Sequence, residues 1–224
     1  MSALPLGIFG GTFDPIHFGH LRLAQELAEG LALAEVRFIP AGCPPHRGKP
    51  GVSATQRLDM VRLAIAGNER FVLDEREILK QAPSYAVETL AELRRELGGT
   101  RPLCLFLGAD AFMGLATWHR WQELFDYAHI VVAQRPGFSS MAWEDNMPEA
   151  LKKELHQRLQ TSPQVLRETP AGAIVMFSIT ALDISATYIR NAIKSGKSPR
   201  YLLPDAVLQY IQQNHLYSEM NETR

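Results

Sequence analysis

Three short stretches of this chain are apolar at every position: residues 103–107 (LCLFL), 130–133 (IVVA) and 173–177 (AIVMF). A strand with one wet face alternates apolar and polar residues; a strand without alternation must be covered on both faces, as in parallel sheets. The segments between and before them have helical spacing. Residues 4–9 form an apolar run ending in Gly10-Gly11, after which Leu21, Leu23, Ala24, Leu27 and Ala28 recur at helical intervals. Residues 36–39 (VRFI) read as a second strand closed by Pro40, and residues 71–73 as a third. Between them, Ser53 and Gln56 have the spacing of a capping box, opening a helix with Leu58, Val61, Leu63, Ala64 and Ile65 on its apolar side. A further helix is predicted over residues 86–97, stopped by Gly98-Gly99. Strands alternating with helices build right-handed crossovers, so the expected fold class is α/β, a doubly wound, mostly parallel sheet with helices on both faces.

The last part of the chain departs from this alternation. Residues 185–194 and 205–213 read as two successive helices, the second with Pro204 near its first turn, expected to cap one end of the sheet. Residues 139–170 are polar, carry Glu144, Asp145 and Glu149, contain a predicted helix at 149–159, and read as a peripheral insertion. No repeat or composition break calls for a second unit, so residues 1–224 are expected to form one domain, with 185–216 as its helical C-terminal portion.

Composition narrows the function classes. With 46% apolar and 21% charged residues the chain is neither disordered nor collagen-like. Lys and Arg number 23 against 24 Asp and Glu, which argues against a polybasic nucleic-acid coat while leaving room for local basic clusters. Cys43 and Cys104 are too few and too far apart for a disulfide scaffold or a cysteine-rich zinc site. The opening MSALPLGIFGG lacks a basic residue before its short apolar run, and no stretch reaches the ~18 apolar residues of a membrane helix. A cytoplasmic protein with no membrane and no nucleic-acid partner is expected; oligomeric state leaves no trace in the sequence.

The segment from Gly10 to His20, GGTFDPIHFGH, carries the most chemistry. Glycines after a strand allow a tight turn and a close approach of ligand to main-chain amides. The helix that follows offers free N–H groups and a partial positive charge at its N-terminus, which suits an anion. His17 and His20, three apart, project from one side of that first turn, where either imidazole can donate to a phosphate oxygen. The spacing is neither the G-x-G-x-x-G dinucleotide fingerprint nor a Walker A loop. Taken alone, two histidines at a helix start also suit zinc ligands or plain capping groups.

As a whole string, Gly10-Gly11-Thr12-Phe13-Asp14-Pro15-Ile16-His17-Phe18-Gly19-His20 resembles the H-x-G-H signature of the nucleotidyltransferase superfamily, in the form its adenylyltransferases carry. Residues 184–190, ISATYIR, resemble a second motif of that superfamily, with Ala186 where Ser is commoner. The resemblance implies a Rossmann-like nucleotidyltransferase fold and transfer of a nucleoside monophosphate from a triphosphate to a phosphate acceptor. It assigns His17, His20 and Arg190 to catalysis, and Gly10, Gly11, Thr12, Phe13, Gly108, Asp110, Ile184 and Ser185 to ATP. Ser185 would cap a helix, and the planar fork of Arg190 would hold the triphosphate bidentately. A plain helix cap and a surface arginine are the alternative for these two.

Between the motifs, Pro44-Pro45-His46-Arg47, Ser84 to Leu90 (SYAVETL), Leu107-Gly108-Ala109-Asp110, Trp118-His119-Arg120-Trp121 and Arg135-Pro136-Gly137 are similar, in order, to the nicotinate mononucleotide adenylyltransferases, as are Arg57 and Met60. That family's acceptor site maps onto His46, Arg47, Tyr85, Ala86, Thr89, Trp118, His119 and Arg135. Trp118 would stack on the nicotinate ring, amides near Ala86 and His119 would hold its carboxylate, and Trp121 is expected to be packing. The implied reaction moves AMP from ATP to nicotinate mononucleotide, with Mg²⁺ carried by ATP and no metal-ligand set of the protein's own. Alternatives are another adenylyltransferase or cytidylyltransferase with a phosphopantetheine-type acceptor, or a non-catalytic nucleotide-binding module.

Overall fold

The computed structural model of the chain describes residues 4–44, 50–80, 82–134, 146–180 and 182–218. Seven strands among these residues form one sheet: β1 (Leu6–Gly11), β2 (Glu35–Pro40), β3 (Phe71–Leu73), β4 (Leu103–Gly108), β5 (His129–Gln134), β6 (Leu159–Gln160) and β7 (Ile174–Ser178). Their order is β3-β2-β1-β4-β5-β7-β6, and every pairing is parallel. The helices are α1 (Phe18–Gly30), α2 (Ala54–Ile65), α3 (Ala86–Leu97), α4 (Ala109–Met113), α5 (Leu124–Tyr127), α6 (Glu149–Arg158), α7 (Val165–Glu168), α8 (Ala186–Lys194) and α9 (Asp205–Gln213). None of the described helices is long and apolar enough to cross a membrane.

The uninterrupted apolar runs are explained by how they divide. In β4, Cys104 and Phe106 enter one core while Leu103, Leu105 and Leu107 enter the other; in β5, Val131 and Ala133 oppose Ile130 and Val132. Alternate side chains of a strand point to opposite faces, so a sheet with two cores needs apolar residues at every position. The first core takes Ala24, Leu27 and Ala28 from α1, Met60, Val61 and Ile65 from α2, and Val207, Leu208 and Ile211 from α9. The second takes Val87, Leu90 and Leu93 from α3 and Leu151 and Leu155 from α6.

Four local expectations are corrected. β1 runs two residues further than its apolar stretch, because the backbones of Gly10 and Gly11 pair with Ile39 and Pro40 although neither has a side chain to bury. On α2, Leu58, Val61 and Ile65 turn inward as expected and Arg57 and Met60 join them, while Leu63 lies on the solvent side at 37% exposure. Of the two C-terminal helices, α9 does not cap an end of the sheet but lies over α2, with the Tyr210 hydroxyl donating to Asp59 Oδ2 at 3.0 Å. Nor is the described part of 139–170 peripheral. It supplies the edge strand β6, the buried Leu151 and Leu155 of α6, and Leu166 of α7.

The strand order sets the position of a ligand crevice. From β1 the sheet continues to β2 on one side and, after a crossover, to β4 on the other. The pairing of β1 with β4 ends at Ile8 and Leu105, while the strands themselves run on to Gly11 and Gly108. Past that point the two carboxyl ends separate, at the topological switch where open α/β sheets bind ligands. A side-chain carbon added at Gly10 or at Gly108 would meet nothing within 4 Å, so both glycines border open space.

Candidate active site

His17 is the N-cap of α1, with extended backbone, and its residue surface is only 6% exposed. Its ring stacks on that of His20 with centroids 3.8 Å apart, and its main-chain N–H donates to His20 Nδ1 at 3.3 Å. His17 Nδ1 is sealed from solvent without a hydrogen-bond partner, which is costly in a folded protein. Burial lowers its pKa to about 4, because removal from water disfavours the imidazolium. At neutral pH His17 is therefore uncharged in the free protein. The first N–H of α1 is already used: Phe18 donates to the Leu202 carbonyl at 3.0 Å, so that amide does not belong to the anion site expected at this helix end.

The turn leading to His17 is braced from several sides. Phe13, at φ 49°, is buried with its ring edge-on to Phe9 and His20, so only its backbone can serve a ligand. The Thr12 carbonyl accepts Arg57 Nη1 at 2.7 Å. Arg57 Nη2 donates to the Gly42 carbonyl at 3.1 Å, and the residue is 1% exposed. A single buried guanidinium thus ties the loop after β1 to the loop after β2, and burial draws its pKa below the usual arginine value against the opposing charge of Asp14. Gly42 has a further constraint: a Cβ there would stand 2.2 Å from the main-chain oxygen of Glu77. Gly42→Ala is expected to cost about 1–3 kcal/mol in a urea melt, since backbone cannot yield as a side chain does.

The second motif meets the first in space. Ser185 caps α8, its Oγ accepting from Tyr188 N at 3.1 Å. A Cβ at Gly19 would lie 3.0 Å from the His17 ring and 3.7 Å from the Ile184 carbonyl, so the entry to α8 stands beside the start of α1. Arg190 Nη1 donates to the Asp14 main-chain oxygen at 2.7 Å, and Nη2 to Thr187 Oγ1 at 3.3 Å. His17, His20, Ile184, Ser185 and Arg190 are therefore gathered at one end of the sheet. Gly108 ends the neighbouring β4, and Asp110 is exposed in the first turn of α4.

The residues expected at the acceptor divide into groups. Tyr85 is the N-cap of α3, followed by a half-buried Ala86, and its ring lies 4.4 Å from that of His119. Ser84 joins this helix start to the loop after β2, its Oγ accepting from Gly42 N at 3.0 Å and Cys43 N at 3.2 Å. Trp118 is half-buried against the second core, while Trp121 is 9% exposed and edge-on to Phe125, a packing residue as expected. Thr89 turns inward, its hydroxyl donating to Glu77 Oε1 at 2.5 Å. His46, Arg47 and Arg135 lie outside the described residues. Asp14 and Arg57 organise the site, yet spacing alone gave neither a role. Asp14 stood inside the motif string and Arg57 among the features shared with the family, and from spacing there was only an arginine at i−4 from Val61 on an apolar helix face.

Comparison with known proteins agrees with this geometry. The chain matches the cytidylyltransferase-like family over residues 8–192. A probable nicotinate-nucleotide adenylyltransferase of Dechloromonas aromatica (strain RCB) is 56% identical over 213 residues, covering 95% of this chain and 97% of that protein. One of Halorhodospira halophila is 51% identical over 206 residues, covering 92% of each. The solved structure of Plasmodium falciparum nicotinic acid mononucleotide adenylyltransferase complexed with NaAD covers 96% of this chain and 97% of its own, with TM-score 0.69 and 15% identity, a likeness of fold. With a fold split at its β1/β4 switch, paired histidines at α1, and relatives identical at half their positions or more, the chain belongs to the nicotinate-nucleotide adenylyltransferases of the cytidylyltransferase-like family.

Proposed function

We infer that the protein transfers AMP from ATP to nicotinate mononucleotide, giving nicotinate adenine dinucleotide and pyrophosphate. The observation that carries this reading is the convergence of His17, His20 and Arg190 on one turn, the last of them through the Asp14 carbonyl. All three are nitrogen donors suited to phosphate oxygens. An oxygen of the acceptor's 5′-phosphate forms the new bond to the α-phosphorus as the bond from that phosphorus to the bridging oxygen breaks and pyrophosphate departs. The attacking phosphate has its second pKa near ~6, so it is largely ionised at neutral pH and needs neither a general base nor a protein nucleophile. What remains for the chain is to align two anions and to stabilise charge on the α-phosphate and the leaving group. An imidazole neutral in the free protein donates one N–H, and an adjacent phosphate favours its protonated form, so binding of ATP would bring His17 toward the charged donor.

The donor set also bears on Mg²⁺. Among the described residues no group of three or more His, Cys, Asp or Glu could hold a metal ion. A cation that entered with ATP would offset triphosphate charge beside His17, His20 and Arg190. The roles of the chain stay with His17, His20 and Arg190 on the phosphates and with the Tyr85 and His119 rings near the acceptor.

The paired aromatic rings support a ring-bearing acceptor over a phosphopantetheine arm. Pyrophosphate release with ATP and each of nicotinate mononucleotide, its amide and phosphopantetheine should give the highest kcat/KM for nicotinate mononucleotide, by roughly tenfold or more over the amide, the discrimination expected of one charged hydrogen-bonded contact. A preference for phosphopantetheine would overturn the reading.

A further inference from the structure

Asp14 lies three residues before His17 and is the most heavily engaged group of the turn. Its Oδ1 accepts the Tyr217 hydroxyl at 2.7 Å and its Oδ2 accepts the Gly51 N–H at 2.8 Å. Its main-chain oxygen accepts Arg190 Nη1 at 2.7 Å, and the same Nη1 stands 3.8 Å from Oδ2. The side chains around it interlock: a Cβ at Gly51 would meet the Tyr217 ring at 3.1 Å and the Arg190 stem at 3.5 Å. Tyr217 adopts φ 62°, a left-handed conformation that a bulky residue rarely takes and that the surrounding contacts must hold in place. Burial and the neighbouring Asp14 carboxylate push its phenol well above the usual tyrosine value, so it stays a hydrogen-bond donor at every working pH.

We propose that Tyr217 is a positioning residue, which through the Asp14 carboxylate fixes the turn bearing His17 and the main-chain oxygen that holds Arg190. Arg190 is long and partly exposed, so without a fixed acceptor its guanidinium samples many rotamers; the Asp14 oxygen selects one. Tyr217 restrains Asp14 from the far side, setting the distance between the imidazole pair and the guanidinium that would embrace one triphosphate. The inference rests on the AMP-transfer reading for its choice of assay.

The test compares Tyr217→Phe with Tyr210→Phe. Both remove one hydroxyl from the C-terminal segment, but Tyr210 bonds Asp59 on α2 and has no link to Arg190. Tyr217→Phe is expected to lower kcat/KM for ATP roughly tenfold or more, the value of a hydrogen bond to a charged group, and to weaken binding of a non-hydrolysable ATP analogue in calorimetry. Tyr210→Phe should leave both unchanged. Asp14→Asn, with only one carbonyl oxygen left for two donors, should behave like Tyr217→Phe, and the double variant should be no worse than the poorer single one. Asp14→Asn alone replaces Tyr217→Phe if that variant is unfolded at the assay temperature. If Tyr217→Phe loses thermal stability but keeps wild-type kcat, KM and analogue affinity, the proposal is overturned. Should the wild type transfer AMP to a different acceptor, the functional reading fails while the variant ratios are still read on that acceptor. The analogue affinity needs no acceptor at all.

Discussion

Replacing His17 by alanine should lower kcat for AMP transfer by about 10²–10³-fold, the loss typical of removing one preorganised donor from a developing anionic centre. Circular dichroism should show the fold unchanged, because the His17 ring stacks on His20 and its Nδ1 makes no hydrogen bond that the fold would lose. Turnover within a factor of two of wild type would remove His17 from the mechanism. The same variant carries an equilibrium signature. His17 is held near pKa 4 in the folded chain and returns to about 6.5 when unfolded. Between those values the unfolded state binds a proton that the folded state refuses, so the wild type loses stability as pH falls through this window. The variant lacks that component. Its stability should fall less steeply from pH 6.5 to 4, the difference amounting to roughly 2–3 kcal/mol. The slope is the quantity to compare, since lost packing shifts the level equally at every pH.

Arg57→Leu should be the most damaging substitution outside His17, His20 and Arg190. It abandons two half-buried carbonyls, Thr12 and Gly42, that accept from the guanidinium at 2.7 and 3.1 Å. Each orphaned acceptor costs on the order of 1–3 kcal/mol, and relief of the arginine's own desolvation returns part of it, so a net loss of roughly 2–4 kcal/mol is expected in urea melts. Arg57→Lys should recover little, because a single ammonium on a flexible stem cannot reproduce a planar fork spanning two loops. At temperatures where the variant stays folded, kcat/KM should fall for both substrates, since the two loops lose their common anchor. Wild-type kinetics with reduced stability would show that Arg57 braces the fold without setting the site.

Where local rules carried the information, the sequence was legible. The helix of residues 86–97 and the helix of residues 205–213 are found within the limits their spacing predicts, and Ser53 and Gln56 form the reciprocal bonds that a capping box requires. Two-sided burial could be read from strands without alternation, and with it the doubly wound class. Short elements were not legible: β6 has only two residues, too few for a period. Nor was the bracing of the site. Asp14 looks like any aspartate before a proline, and its partners lie 37, 176 and 203 residues away, at Gly51, Arg190 and Tyr217. A buried arginine on α2 could be noticed as misplaced in an apolar stripe, but the two carbonyls that justify it come from other loops.

The Tyr217 contact also orders events in time. The Asp14 turn is made first, and the hydroxyl that completes it belongs to a residue 203 positions later. At roughly 5–20 residues per second, a nascent chain carries the histidine turn for about ten to forty seconds before that brace exists. Strands β1 to β5 can associate in that interval, but the alignment of imidazoles with guanidinium awaits the synthesis of Tyr217. A ribosome that stalls after α8 would thus leave a chain with both phosphate motifs and a sheet to carry them, yet with the frame between them unset.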